Sequence, residues 1–486
     1  MKILSLALAV LMILSLSACG GNAGGAQSAP ENVTTPAADE SRPAETGEEI
    51  PPSPLEKADF GGYTLRVMTN INDGQSWDKN EMFAEELSGE ILNDTVFERN
   101  SYIIEKYDLS GITVSNTDSS FGPFTRSVKA GDDEFDIVMP GSVNGFVWGA
   151  QGYLTEIHEL PVIDLSNPWW QDFALADTSV GGKNYFLLGD MNILAYDSTA
   201  CMFFNKKMIE TYGMESPYLA VREGVWTFDR MEEMGRQVTF DVNGDNAYDG
   251  SDSYGLGVNS YAALTMTYGG GLRFAVKDSG DIPEFVVEEP ALTYIQKFIN
   301  SIRNGGWAIY GEDYGDQRIT IIQSCFSDNR LLFLNEMLNR TSILRDMESD
   351  FGVLPMPKKD ESQDGYYSFI HQSCSSVTVF PVTITNPEIV CTIAEDMAYY
   401  SHYYLYPAYI DSCVKTKFLR DEDSAEMVDI LLNGIRFDIA LLSGSSAIDD
   451  LRTLLTKRNE NVASEFAKKE SKYVSQFEKK LADMIG

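Results

Sequence analysis

The sequence is poor in the side chains that most hydrolytic and transfer chemistry relies on. It has 3 histidines in 486 residues, His158, His371 and His402, each alone in its stretch of chain. No G-x-S-x-G, H-E-x-x-H or G-x-x-x-x-G-K occurs, and Gly255-Leu256-Gly257 lacks the third glycine of a dinucleotide fingerprint. Carboxylates are numerous enough that a glycosidase-like pair stays open, with nothing pointing to one. Positive charge is equally scarce. The 37 Lys+Arg stand against 73 Asp+Glu, a formal net charge of -36. That excludes a nucleic-acid partner, because phosphate binding needs a basic face, and it disfavours adhesion to anionic lipid headgroups. Among the 6 cysteines there is no C-x-x-C. Cys201, Cys325, Cys374, Cys391 and Cys413 are scattered singly, which indicates neither a disulfide framework nor a zinc site and predicts buried thiols.

What is present begins at the N-terminus. Lys2 precedes an almost unbroken apolar run from Ile3 to Leu16, which ends in Leu16-Ser17-Ala18-Cys19 and two glycines. A run this short falls below the roughly twenty residues of a membrane span and has the build of a secretory signal. The ending resembles the lipobox of bacterial lipoproteins, which implies cleavage before Cys19, lipidation of its thiol, and a passenger tethered on the outer face of the cell membrane. Residues 20–58 are rich in Gly, Ala, Ser, Thr, Pro and Glu and read as a flexible linker. A folded unit begins at Asp59. Tyr63 to Thr69, Ile112 to Val114 and Phe135 to Met139 read as strands, and Leu92, Val96, Ile103, Ile104 and Tyr107 recur with helical spacing. Strand, helix and strand in alternation predict a parallel sheet covered by helices. Ligands of such sheets sit beyond the carboxyl ends of strands, which singles out Asn70 and Ser142.

The middle of the chain carries a resemblance. Gly182-Lys183-Asn184-Tyr185-Phe186 leads through Gly189-Asp190 to Phe203-Phe204-Asn205-Lys206-Lys207. Tyr212-Gly213-Met214 and Val225-Trp226-Thr227-Phe228-Asp229 follow, then Phe351-Gly352-Val353-Leu354-Pro355-Met356-Pro357 and a helical stretch from Asp423 to Asp429. In this order, across about residues 60 to 450, they resemble the sugar-type (family 1-like) extracellular solute-binding lipoproteins of bacterial ABC importers. Phe204 stands where that family has Tyr before Asn-Lys, and the Trp-Thr order is swapped. The resemblance implies an α/β fold of type II: two lobes, a hinge, and a ligand cleft between them. Lobe 1 would comprise 59–197 and 322–374, lobe 2 198–321 and 375–486, with crossings near Ala195, Cys325 and Ser375. It further implies a monomeric, non-enzymatic protein that delivers its ligand to a membrane permease. A secreted glycan-degrading enzyme, or a surface carbohydrate adhesin or sensor partner, is the alternative.

Flat aromatic faces pack on sugar rings, while amides and carboxylates meet hydroxyls, so a carbohydrate is the expected ligand. Trp169-Trp170 follows Asn167-Pro168 in a polar loop, and Tyr268-Gly269 lets backbone approach a ligand. Asn335-Glu336 ends an apolar run near where the family places a ligand contact. With Asn70, Trp77, Ser142, Asp190 and Trp307, these residues are the candidate ligand-binding set. A separate motif, Asp241, Asn243, Asp245, Ala247 through its carbonyl, Asp249 and Asp252, has EF-hand-like spacing and predicts a structural calcium ion. It departs from that loop at Asn246, where glycine is expected, and at Asp252, where a bidentate Glu is usual. A last helix, about Glu460 to Ile485, should turn Phe466, Tyr473, Phe477 and Leu481 onto a lobe.

Overall fold

Leu65 and Val67 alternate with Thr64 and Arg66, and the strand they predict is present. The computed structural model describes residues 50–70, 81–344, 347–371, 375–410, 421–458 and 461–485. In it β1 is Thr64–Thr69, β2 Gly111–Asn116 and β3 Ile137–Met139, a parallel sheet in the order β2-β1-β3. Leu65 lies opposite Ile112, and Val67 is flanked by Val114 and Ile137. Helices Ile91–Tyr107 and Gly122–Ala130 make the two crossovers that parallel pairing demands. The first buries Val96, Ile103 and Tyr107, the stripe its sequence spacing predicts.

The second sheet draws on β4 (Ala200–Asn205), β5 (Tyr254–Val258), β8 (Ala308–Tyr310), β9 (Leu331–Met337) and β10 (Phe351–Leu354), in the order β10-β4-β9-β5-β8. A separate hairpin pairs β6 (Ala275–Lys277) with β7 (Pro283–Phe285). Strand β4 runs antiparallel to β9 and β10, whereas β5 is parallel to β8 and β9. The glycines of β5 serve packing. A Cβ on Gly255 would lie 2.3 Å from the Cα of Gly235, so strand and helix Phe228–Gln237 meet backbone to backbone. The swapped Trp226-Thr227 order also finds its reason: the Thr227 side chain caps that helix by accepting from the Arg230 N–H. Trp226 itself is buried, donating from Nε1 to the Pro355 carbonyl at 3.0 Å.

The lobe boundaries differ from the expectation. Segment 322–374 was assigned to the first lobe, yet β9 and β10 flank β4, with Leu354 opposite Met202. Cys325 is no crossing point: it is buried in helix Arg318–Ser327, packed on the second sheet. Segment 375–410, assigned to the second lobe, returns to the first. Val379 bridges Val138, Thr378 bridges Leu187, and Asp396 of helix Pro387–Tyr400 accepts from the Tyr107 hydroxyl at 3.0 Å. The other two expected crossings agree with the structure: the chain leaves the first lobe near Thr199, which bridges Ile370, close to Ala195, and is back against it by Thr378, close to Ser375. Periodicity reveals that a strand exists but not which strand it joins.

From Glu422 the chain packs on the second sheet and beside the first. Ser424 in helix Glu422–Asn433 accepts from the Val353 N–H at 3.3 Å. The terminal helices Val462–Ala467 and Glu470–Ile485 bury Phe466, Tyr473, Phe477 and Leu481, with Phe285 of β7 against Phe477. Cys201, Cys325 and Cys391 are buried free thiols, as expected. Among the described residues no helix is long and apolar enough to cross a membrane. Cys19, the signal-like stretch, most of the linker, Trp77, Cys374 and Cys413 lie outside the described residues.

Candidate functional site

Strand β9 is apolar until its end, where Asn335 and Glu336 interrupt the run. They open onto a cavity of about 160 Å³ whose wall also includes Ala200, Tyr261, Arg340, Phe369 and His371. Each side chain is held by a neighbour. Asn335 Oδ1 accepts from the Thr265 hydroxyl at 2.8 Å, and its amide donates to the Cys201 carbonyl at 3.3 Å. Glu336, near the end of β9, meets Arg340 Nε at 3.3 Å, where the short turn Leu338–Arg340 brings it back. Burial raises the Glu336 carboxyl above its usual range, with Arg340 pulling the other way. The crossing segment supplies the opposite wall. The His371 N–H donates to the Ser198 carbonyl at 3.0 Å, which sets its ring 4.3 Å from Tyr261, centroid to centroid. Burial, reinforced by Arg452 and Arg340, pushes His371 down to about 4, so the ring is neutral at physiological pH. Phe369 stacks on Tyr268 at 5.4 Å with 8° between planes.

A second cavity of about 290 Å³ opens where Asn70 and Gly141, following β1 and β3, and Asn144 of helix Ser142–Ala150 meet Ser445, Ile448 and Asp449. The Asn70 Oδ1 is buried there without a hydrogen-bond partner among the described residues. Helix Ser446–Leu454 joins the two spaces. Ile448 and Asp449 line the second cavity, and one turn later Arg452 lies 4.0 Å over the Tyr261 ring beside the first. The carboxyl ends of the first sheet and the Asn335 end of β9 therefore face one cleft region.

Several candidates lie elsewhere. Trp169 and Trp170 belong to the core of the first lobe, where both indole N–H groups donate to Glu395, at 3.1 and 2.9 Å. A polar loop holds two core residues because their acceptor arrives from a helix far along the chain. Trp307 is buried and donates to Ser301 Oγ at 2.8 Å. Asp190 is buried among Gln171 at 2.9 Å, the Tyr196 hydroxyl at 3.0 Å and His402 Nδ1 at 2.5 Å, which makes it a junction inside the lobe. Tyr268 and Gly269 stand behind the cavity: a Cβ on Gly269 would lie 2.5 Å from Met356 Cβ, so the close approach is to protein. Ser142 is buried at the start of helix Ser142–Ala150, while its neighbours Gly141 and Val143 line the second cavity. Tyr261, Arg340 and His371 escaped the sequence reading. No local pattern signals them, because Glu336 and Arg340 span a strand end and a short turn.

The acidic loop folds on itself. Asp241 accepts from the Gly244 and Asn246 N–H groups at 2.6 and 2.8 Å, and Asp252 from those of Val242 and Asp249 at 3.0 and 2.8 Å. Asp245 and Asp249 likewise accept from the Ala247 and Ser251 amides, each at 2.8 Å. Among the described residues no three His, Cys, Asp or Glu side chains gather as a metal-holding group. The oxygens as placed accept from loop amides.

No protein-family model matches the sequence, and neither does any curated protein sequence. Solved structures do match. The galacto-N-biose-/lacto-N-biose I-binding protein of the ABC transporter from Bifidobacterium longum is similar at TM-score 0.57 and 13% identity, over 86% of this chain and 98% of that one. An ABC substrate-binding protein from Listeria monocytogenes in complex with cycloalternan is similar at TM-score 0.54 and 11% identity, over 87% and 98%. The maltose/maltodextrin-binding domain from Bdellovibrio bacteriovorus bound to maltotriose is similar at TM-score 0.52 and 14% identity, over 87% and 99%. Identities this low carry the architecture alone, and on it the described chain has the two-lobed α/β fold of these binding proteins.

Proposed function

We propose that this protein captures a carbohydrate in the cleft beside β9 and delivers it, chemically unchanged, to the permease of an ABC importer. The observation that carries the reading is the first cavity. It combines two aromatic rings, Tyr261 and Phe369, with the amide of Asn335 and the Glu336–Arg340 pair, inside a fold shared with sugar-binding proteins. Aromatic faces match the apolar faces of pyranose rings, and groups already fixed by Thr265 and Arg340 lose little freedom on meeting hydroxyls. Capture by lobe closure, with bending at the crossings near 199 and 371, follows the behaviour of hinge-bending proteins. Tethering through a lipid on Cys19 at the outer face of the membrane, a monomeric state, and a calcium ion at 241–252 belong to the same proposal and rest on sequence pattern. A thermal-shift screen of mono- and oligosaccharides tests it, because a ligand that binds only the folded form raises the melting temperature by mass action. At least one sugar should raise it by several degrees. A complete panel without effect would overturn the carbohydrate reading.

A further inference from the structure

Arg452 has an unusual position. Its guanidinium lies over Tyr261, 4.0 Å from the ring centroid, beside the first cavity and one turn from the Ile448 and Asp449 lining of the second. Its Nε is buried and has no hydrogen-bond partner among the described residues. It also forms no ion pair there, in a chain with 73 Asp+Glu against 37 Lys+Arg. A buried Nε–H without a partner carries a desolvation cost that an incoming acceptor removes. The cation–π contact with Tyr261 holds the guanidinium beside the wall of the first cavity, and a guanidinium meets a carboxylate through paired N–H groups.

We infer that the bound sugar is acidic, and that Arg452 receives the carboxylate of a uronic acid residue while that residue's ring packs near Tyr261. The inference rests on the carbohydrate reading and narrows it. The neutral His371 ring is consistent with it: burial and the neighbouring positive field of Arg452 and Arg340 both oppose its protonation. A neutral His371 carries no charge of its own, which leaves Arg452 as the group that reads charge. Glu336, the carboxylate in the wall of the first cavity, is occupied by Arg340.

The test is calorimetric titration of the full mature chain with uronate-containing disaccharides and their neutral counterparts of the same linkage, cellobiouronic acid against cellobiose and digalacturonate against galactobiose. At least one acidic sugar should bind roughly ten- to a hundredfold more tightly than its neutral partner, the range of a charge-assisted contact. Arg452→Gln should bring that ratio to within about twofold, and Arg452→Lys should keep part of it. Raised salt should shrink the wild-type ratio, a readout independent of any variant's folding. Neutral sugars binding as well as acidic ones, a ratio that survives Arg452→Gln, or a ratio indifferent to salt would overturn the acidic-sugar inference and leave sugar capture standing. Failure of every sugar, acidic and neutral, would overturn both.

Discussion

Replacing Glu395 with alanine should destabilise the first lobe strongly and leave ligand affinity alone. Glu395 is 1% exposed and accepts from Trp169 Nε1 at 3.1 Å, Trp170 Nε1 at 2.9 Å and Asn167 Nδ2 at 2.7 Å. Burial pushes its carboxyl up, while the three donors pull it down. Without it, two indole N–H groups in a packed core lose their acceptor, at roughly 1–3 kcal/mol each. Asn167 is half-buried and can turn to water, so its share is small. The expected loss is about 3–5 kcal/mol, and Glu395→Gln, which keeps one acceptor oxygen, should lose less than half of that. Urea unfolding followed by tryptophan fluorescence and circular dichroism reads it as a lower midpoint at unchanged slope. A loss below about 1 kcal/mol for Glu395→Ala would refute the reasoning. So would a change in sugar affinity, because Trp169 and Trp170 would then be reaching ligand after all.

Glu81 is buried, accepts from the Leu194 N–H at 2.9 Å, and is pushed by burial from 4.5 up to about 7. A raised carboxyl stabilises the fold fully below pH 4.5, and that contribution is lost as pH rises through about 7. The displacement corresponds to about 3 kcal/mol, so wild type should lose stability between those limits relative to Glu81→Gln. Parallel pH profiles of the two would count against it. If calcium binds at 241–252, chelator should lower the melting temperature, and Asp245→Ala should abolish the effect; indifference of the wild type would dismiss the ion. Cys19→Ser should release protein to the medium, whereas mature wild-type protein found free with an unmodified Cys19 would end the lipid-anchor reading.

Local signals in the chain were faithful where the physics is local. The alternation in β1, the stripe on Ile91–Tyr107 and the apolar face of the last helix each describe one element meeting one surface, and each is present. Partnership over long separations was not legible. Nothing in Phe351–Leu354 announces that it pairs with β4 and not with the first sheet. Nothing beside Trp169-Trp170 announces Glu395, more than two hundred residues away. The same limit governs the candidate site. Asn335 and Glu336 were visible as polar residues ending an apolar strand. Tyr261, His371 and Arg452 come from three separate segments, and only the fold brings them together. His371 looked like an isolated histidine because its neighbours are spatial.

The central claim is capture of an intact sugar in the cavity where Asn335 meets Tyr261. The measurement that bears on it most directly is a calorimetric titration of the mature protein with the best sugar from the screen, followed by mass analysis of the recovered ligand. One site per chain, recovery of unaltered sugar, and a loss of roughly tenfold or more in affinity for Asn335→Ala and Tyr261→Ala are the predicted results. Cleaved sugar, or full affinity in both variants, would contradict the account.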